Sequence, residues 1–273
     1  MLRCGRFLFD LRAPLVMGIV NVTPDSFSDG GRYADPERAI AHGLRLRDEG
    51  AHILDIGGES TRPGARPVTE AEERERVLPV LTALRDCGAA LSVDTMKPGV
   101  MAAALVAGAD LVNDVNALRA PGALEVVAGT DCGVCLMHMQ GTPETMQLAP
   151  RYGDVVAEVA EFLARRVQAV GEAGIAGERL LVDPGFGFGK TRAQNVALFR
   201  AIRRFADLAP VLVGVSRKRL FGEGAGLAPG DRLAPSVAAA LLAARAGAGV
   251  LRVHDVAATV AALEVLEALE PGH

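Results

Sequence analysis

Eight short apolar runs punctuate the chain, and each gives way to a polar residue and then to a longer stretch with helical periodicity. The runs are LVMGIV before Asn21, ILDIG around Asp55, ALSV before Asp94, ADLV before Asn113, GVCLM before His138, LLV before Asp183, VLVGV before Ser216 and VLRV before His254. They recur about every 33 residues, room for one strand, one helix and two loops. Parallel strands covered on both faces read as continuous apolar runs rather than alternating ones. Eight such units in 273 residues therefore predict an α/β fold, a (β/α)8 TIM barrel forming a single domain over 1–273. Residues 1–13 are expected as an N-terminal lead-in or as a plug for the face opposite the strand ends. An open doubly wound sheet is the alternative, but it would gather its polar residues at one switch point, whereas here they end all eight runs. Candidate helices include Pro36–Glu49, Thr69–Arg85, Val155–Glu172, Asn195–Phe205, Ser236–Ala246 and Val256–Leu269.

Half the residues are hydrophobic and 23% are charged, a balance suited to a large core. No stretch of about 18 uninterrupted apolar residues is present, which argues against a membrane span. A net charge of −4 disfavours general nucleic-acid binding, so an anionic ligand must meet local positive charge. The opening MLRCGRFLFDLRAP does not read as a secretory signal, and a cytoplasmic location is expected. Cys132 and Cys135 form an isolated CxxC entering an apolar run, where a strand would point the thiols to opposite faces, so structural cysteines are expected.

In a barrel the eight strand ends converge on one rim, and that rim is where barrel enzymes do chemistry. Asp55, Asp94 and Asp183 lie at or inside the ends of very apolar runs, and a buried carboxylate is costly unless a donor meets it. Asp94 and Asp183, with Asn113 between them in strand order, would line a pocket of acceptors suited to a flat heterocycle rich in N–H groups. Only three of the 29 basic residues are lysine: Lys97, Lys190 and Lys218, each just after a run. Lys218 follows the seventh run, where these barrels commonly bind phosphate, and Arg252 and His254 end the eighth beside it. The stretch DPGFGFGKT (183–191) satisfies neither the P-loop nor the Rossmann spacing. Two long loops, 22–35 and 58–68, are candidate lids, with Arg62 able to bring positive charge over the site.

Taken in order, MGIVNVTPDSFSDGG (17–31), GAHILDIGGESTRPGA (50–65), SVDT (92–95), ADLVNDV (109–115), MHMQGTPETMQ (137–147), LLVDPGFGFGK (180–190), VGVSRK (213–218) and RVHDV (252–256) resemble the dihydropteroate synthase family over nearly the whole chain. The resemblance implies a transferase of folate synthesis. It would condense 7,8-dihydropterin-6-ylmethyl diphosphate with 4-aminobenzoate to 7,8-dihydropteroate and diphosphate, with Mg2+ as cofactor and as a homodimer. It further implies a pterin pocket of Asp94, Asn113, Asp183 and Lys218, with Arg252 stacking on the ring. Asn21, Arg252 and His254 would take the diphosphate, with Asn21 also toward the metal. Thr61, Arg62, Pro63, Phe188, Ser216 and Arg219 would surround the aminobenzoate, closed over by Phe27 and Asp29. The chain departs from the family where Arg219 replaces a common Ser, and where Asn116 stands at a frequent Ser or Thr. A pterin-dependent methyltransferase and a non-catalytic pterin-binding barrel are the alternatives.

Overall fold

The computed structural model describes residues 1–23, 35–61, 65–218, 220, 228 and 231–270. The chain opens with an antiparallel hairpin, β1 (Leu2–Cys4) and β2 (Phe7–Phe9). Eight parallel strands follow: β3 (Leu15–Asn21), β4 (Ile53–Gly57), β5 (Ala90–Asp94), β6 (Leu111–Asp114), β7 (Gly133–Met137), β8 (Leu180–Asp183), β9 (Val211–Val213) and β10 (Ala248–Val253). They close in sequence order, with β10 hydrogen-bonded to both β9 and β3. The closed barrel is the predicted fold class, and the strands coincide with the eight runs because aliphatic residues there are covered on both faces.

Helices fill the intervals: α1 (Pro36–Asp48), α2 (Glu70–Leu84), α3 (Pro98–Ala107), α4 (Ala123–Ala128), α5 (Val155–Glu172), α6 (Arg192–Arg200), α7 (Ile202–Ala206), α8 (Leu233–Arg245) and α9 (Val256–Leu269). Side chains start several of them. Asp35 accepts the N–H groups of Glu37 and Arg38, and Thr191 and Gln194 form a reciprocal capping box at α6. The helix predicted over Asn195–Phe205 is two helices. Ala201 leaves helical geometry at φ −101°, ψ 13°, and Ile202 and Phe205 turn fully into the core. Among the described residues no helix is long and apolar enough to cross a membrane.

The hairpin packs into the end of the barrel opposite the strand C-termini. Leu2 and Cys4 share an apolar cluster with Leu15, Ile53, Ala90 and Leu111, which begin four of the strands. Arg6 locks it there, donating through Nε and Nη2 to the two oxygens of buried Asp110 at 2.9 and 3.0 Å. That end of the barrel is therefore filled by side chains from the hairpin and the strand starts. Cys132 falls in the helix-facing core and Cys135 in the barrel interior, both as free thiols raised by burial.

Candidate active site

Register determines which strand-end residues become neighbours. Gly57, Asp94 and Asn113 are paired across β4, β5 and β6, while Asp55 lies two residues before Gly57, one inward-facing position deeper. Asp55 is fully buried, and its carboxylate is surrounded by donors. Ser92 Oγ donates to Oδ1 at 2.6 Å, and Asn113 Nδ2 and Arg252 Nε donate to Oδ2 at 3.2 and 2.6 Å. The Arg252 guanidinium then reaches up, and its Nη2 donates to Asp94 Oδ2 at 2.7 Å. Burial alone would lower the pKa of Arg252, but Asp55 and Asp94 override it and hold the group above its usual value. Burial pushes the Asp94 carboxyl up to about 7, opposed by Arg252 and reinforced by the nearby Asp55 charge.

Asp55 is thus committed to the protein itself. It anchors Arg252 and Asn113 from below, whereas Asp94 stands at the level of the rim. The sequence placed these groups on separate runs, and closure brings them into one network.

Asp183 ends β8 on the facing side. Its Oδ1 accepts the Gly185 N–H at 2.7 Å; burial raises its pKa, and Lys218 pulls it back. Burial lowers Lys218 to about 8, with Asp183 opposing that fall and Arg252 adding to it. Lys218 Nζ donates to Phe186 O at 2.6 Å and stands 4.9 Å from the centre of the Phe188 ring. Asp94, Asn113, Asp183, Lys218 and Arg252 therefore meet at one end of the barrel.

The Gly-rich stretch after β8 has a role the sequence did not reveal. Lys190 turns back into the fold, and its Nζ donates to the carbonyls of His138, Gly185 and Phe188 at 3.2, 2.9 and 2.8 Å. The lysine clamps the β8 loop onto the residue after β7. Gly185 makes that approach possible, since at φ +72° a Cβ would lie 1.9 Å from His138 O. His138 ends a run yet is buried among Phe162 and Tyr152, and burial lowers it to about 3. It is a neutral packing residue.

The apolar lining was also missed. Val115, Met137, Met139 and Met146 form a cluster against which Met96 and Phe188 pack, so four of the chain's seven methionines gather at this end. MHM after the fifth run was the available signal, because flexible methionines adapt to irregular apolar surfaces.

Asn21, at the end of β3, lines a groove of about 790 Å³ with His254 and the basic residues Arg38, Arg45 and Arg217. His254 is oriented by Ser216, whose Oγ accepts its backbone N–H at 3.2 Å and lies 3.1 Å from its Nδ1. Ser216, expected by the aminobenzoate, thus bonds to a residue expected by the diphosphate. Asp255 takes the Arg217 guanidinium through both carboxylate oxygens. Thr61 is half-buried beyond β4. Phe27, Asp29, Arg62, Pro63 and Arg219 lie outside the described residues.

The pterin binding enzyme family model matches residues 17–254. Dihydropteroate synthase of Escherichia coli K12 is 49% identical over 261 residues, covering 95% of this chain and 93% of that protein. The solved structure of Xanthomonas albilineans dihydropteroate synthase with 4-aminobenzoic acid superposes with a TM-score of 0.91 at 57% identity, covering 96% and 95% of the two chains. That of Burkholderia cenocepacia dihydropteroate synthase complexed with 7,8-dihydropteroate gives 0.89 at 50% identity, covering 98% and 95%.

Proposed function

This chain belongs to the dihydropteroate synthase family, and from that premise we propose how its barrel mouth joins 7,8-dihydropterin-6-ylmethyl diphosphate to 4-aminobenzoate. The observation that carries the assignment is the linked network Asn113–Asp55–Arg252–Asp94, with Asp183 and Lys218 facing it. A pterin presents ring N–H and amino donors along one edge, and Asp94 and Asp183 supply acceptors of matching sign. Asn113 supplies an amide that can both donate and accept. Lys218 meets a ring carbonyl, Arg252 covers the ring, and the methionine cluster with Phe188 takes the other apolar surface. Thr61, Arg62, Pro63, Phe188, Ser216 and Arg219 surround the aminobenzoate, with Phe27 and Asp29 closing over it.

The diphosphate lies toward Asn21, Arg252 and His254, where Arg38 and Arg45 add positive charge to the groove. Among the described residues no three His, Cys, Asp or Glu side chains gather as a dedicated cation cage. The Asn21 amide oxygen is a hard donor of the kind Mg2+ prefers, so Asn21 would help hold a Mg2+ brought in with the diphosphate. When bound, Mg2+ offsets negative charge on the leaving group. The reaction is a dissociative substitution. The bond from the pterin methylene to the diphosphate oxygen breaks first, the neutral aminobenzoate amine then forms the C–N bond, and its proton leaves to water. Asp94 and Asp183 stabilise positive charge spreading into the pterin, while Arg252 and His254 receive the departing anion. An assay of diphosphate release with both substrates, with and without magnesium, tests this. Dependence on both substrates and the metal is expected, and ligand binding without turnover would overturn it.

The titrations give a second test. Pterin binding needs ionised Asp94 and charged Lys218, so affinity is lost as pH falls through about 7 and again as it rises through about 8. The pH profile of kcat/KM for the pterin substrate should be bell-shaped, with its acid limb altered in Asp94→Asn, where only Asp183 is left to titrate on that side. An acid limb unchanged in that variant would separate Asp94 from pterin recognition.

The location is the cytoplasm and the assembly a homodimer. Leu233 and Leu242 on α8 and Val265 and Leu269 on α9 expose large apolar side chains, and a second copy would cover them. Light scattering should give twice the chain mass, falling to one chain in Leu242→Arg; a monomeric unmodified protein would remove this part.

A further inference from the structure

Lys97 is one of only three lysines, and the network around Arg252 does not use it. It stands between β5 and α3, yet both of its ion-pair partners lie in the preceding unit. Nζ donates to Glu59 Oε2 at 2.6 Å and to Glu73 Oε2 at 2.5 Å. Glu59 begins the segment that leaves β4, and Glu73 lies in the first turn of α2, where that segment ends. A second tie closes the same neck: the other Glu59 oxygen accepts the Val68 N–H at 2.9 Å. A third comes from α2, where Arg76 Nη1 donates to Gly58 O at 2.7 Å. Gly58 lets the two ends approach, because a Cβ there would stand 2.9 Å from Val77 and 3.0 Å from Glu73.

The arrangement costs stability in isolation. Glu73 is only 1% exposed, and its Oε1 has no partner among the described residues. Two carboxylates share one ammonium, and Glu59 and Glu73 outweigh the effect of burial to keep Lys97 firmly charged. An apolar trio would fill this space at lower cost. What apolar residues cannot do is tie one strand's loop, at both ends, to the loop of the next strand.

We propose that Lys97 is a positioning residue for aminobenzoate use, holding the residues that leave β4 through Glu59 so that Thr61 is presented at the barrel mouth. This rests on assigning Thr61 to the aminobenzoate subsite. Misplacing a contact by about 1 Å costs on the order of 100-fold in rate, so weakening the neck acts on the second substrate and spares the first.

The experiment compares Glu59→Gln, Lys97→Met, Lys97→Arg and the double variant Lys97→Met with Glu73→Gln. Glutamine at 59 has one acceptor oxygen for two donors, so one tie is lost while the buried charge falls. The double variant removes the unpaired buried carboxylate left by Lys97→Met and so recovers the fold. Steady-state kinetics for each substrate, calorimetric affinity for 6-hydroxymethyl-7,8-dihydropterin and the unfolding temperature are read together. The expected result is kcat/KM for aminobenzoate reduced about 10- to 100-fold in Glu59→Gln and in the double variant. Dihydropterin affinity should stay within about twofold of the unmodified enzyme, and Lys97→Arg should restore part of the loss. Equal losses for both substrates that follow the unfolding temperature, or normal aminobenzoate kinetics in the double variant, would overturn the proposal. Thr61→Ala separates the two claims: normal aminobenzoate kinetics there removes the subsite assignment, whereas a defect there with none in the Lys97 and Glu59 variants removes only the role of Lys97.

Discussion

Replacing Asp183 with asparagine should lower affinity for the dihydropterin by two to three orders of magnitude while leaving the fold in place. Asparagine keeps an oxygen for the Gly185 N–H and relieves the cost of burying a charge. It removes the negative charge facing Lys218 and turns one acceptor into a donor aimed at a ligand edge that itself donates. Losing one preorganised contact of this kind typically costs about 10²- to 10³-fold. Calorimetric titration with a dihydropterin lacking the diphosphate isolates the effect from the anion corner. Ordinary affinity in Asp183→Asn would mean that the pterin lies elsewhere.

Arg252→Met should be the most damaging single change, because it acts on stability and chemistry together. The guanidinium neutralises fully buried Asp55 and bridges it to Asp94, and its loss leaves two carboxylates close together without their cation. Breaking a buried pair by removing one partner costs about 3–5 kcal/mol. For a chain of this size that is a fall in Tm of about 6–20 °C, at roughly 2–4 °C per kcal/mol. The defect has a pH signature with a definite sign. Without Arg252, Asp94 loses the charge that opposes its burial, so its folded pKa lies above the unfolded value of about 3.9 and the folded variant holds a proton that the unfolded chain releases. Its stability deficit should be small below about pH 4 and widen as pH rises. A deficit that is flat from pH 4 to 8 would show that the network does not carry the charge balance assigned to it.

Much of the site was legible because each polar group interrupts an apolar run. Asp94, Asn113 and Asp183 are recognisable since a buried carboxylate or amide in a strand needs a partner, and Arg252 within VLRV is unexplained by solvation. Asp55 shows the limit of this reasoning. In sequence it is indistinguishable in kind from Asp94, but it lies one inward-facing position deeper and is used up by Ser92, Asn113 and Arg252. The lysines show it too. All three follow apolar runs, yet Lys218 faces Asp183, Lys190 clamps three carbonyls, and Lys97 ties the neighbouring loop. Depth and direction depend on strand register and on where a loop turns back, and neither is written in residue type.

The sequence by itself determined the closed barrel, through eight aliphatic runs too apolar to be covered on one face only, and it determined that acceptors and cations would share the rim. Only the tertiary structure decided which carboxylate is used up inside the barrel and which stands at the rim, since that turns on a two-residue difference in register between neighbouring strands. It also decided that the N-terminal hairpin packs into the opposite end. Local pattern sets the period of the chain; the partners of a buried charge are set by closure, which brings side chains as far apart in sequence as Asp55 and Arg252 within hydrogen-bonding distance.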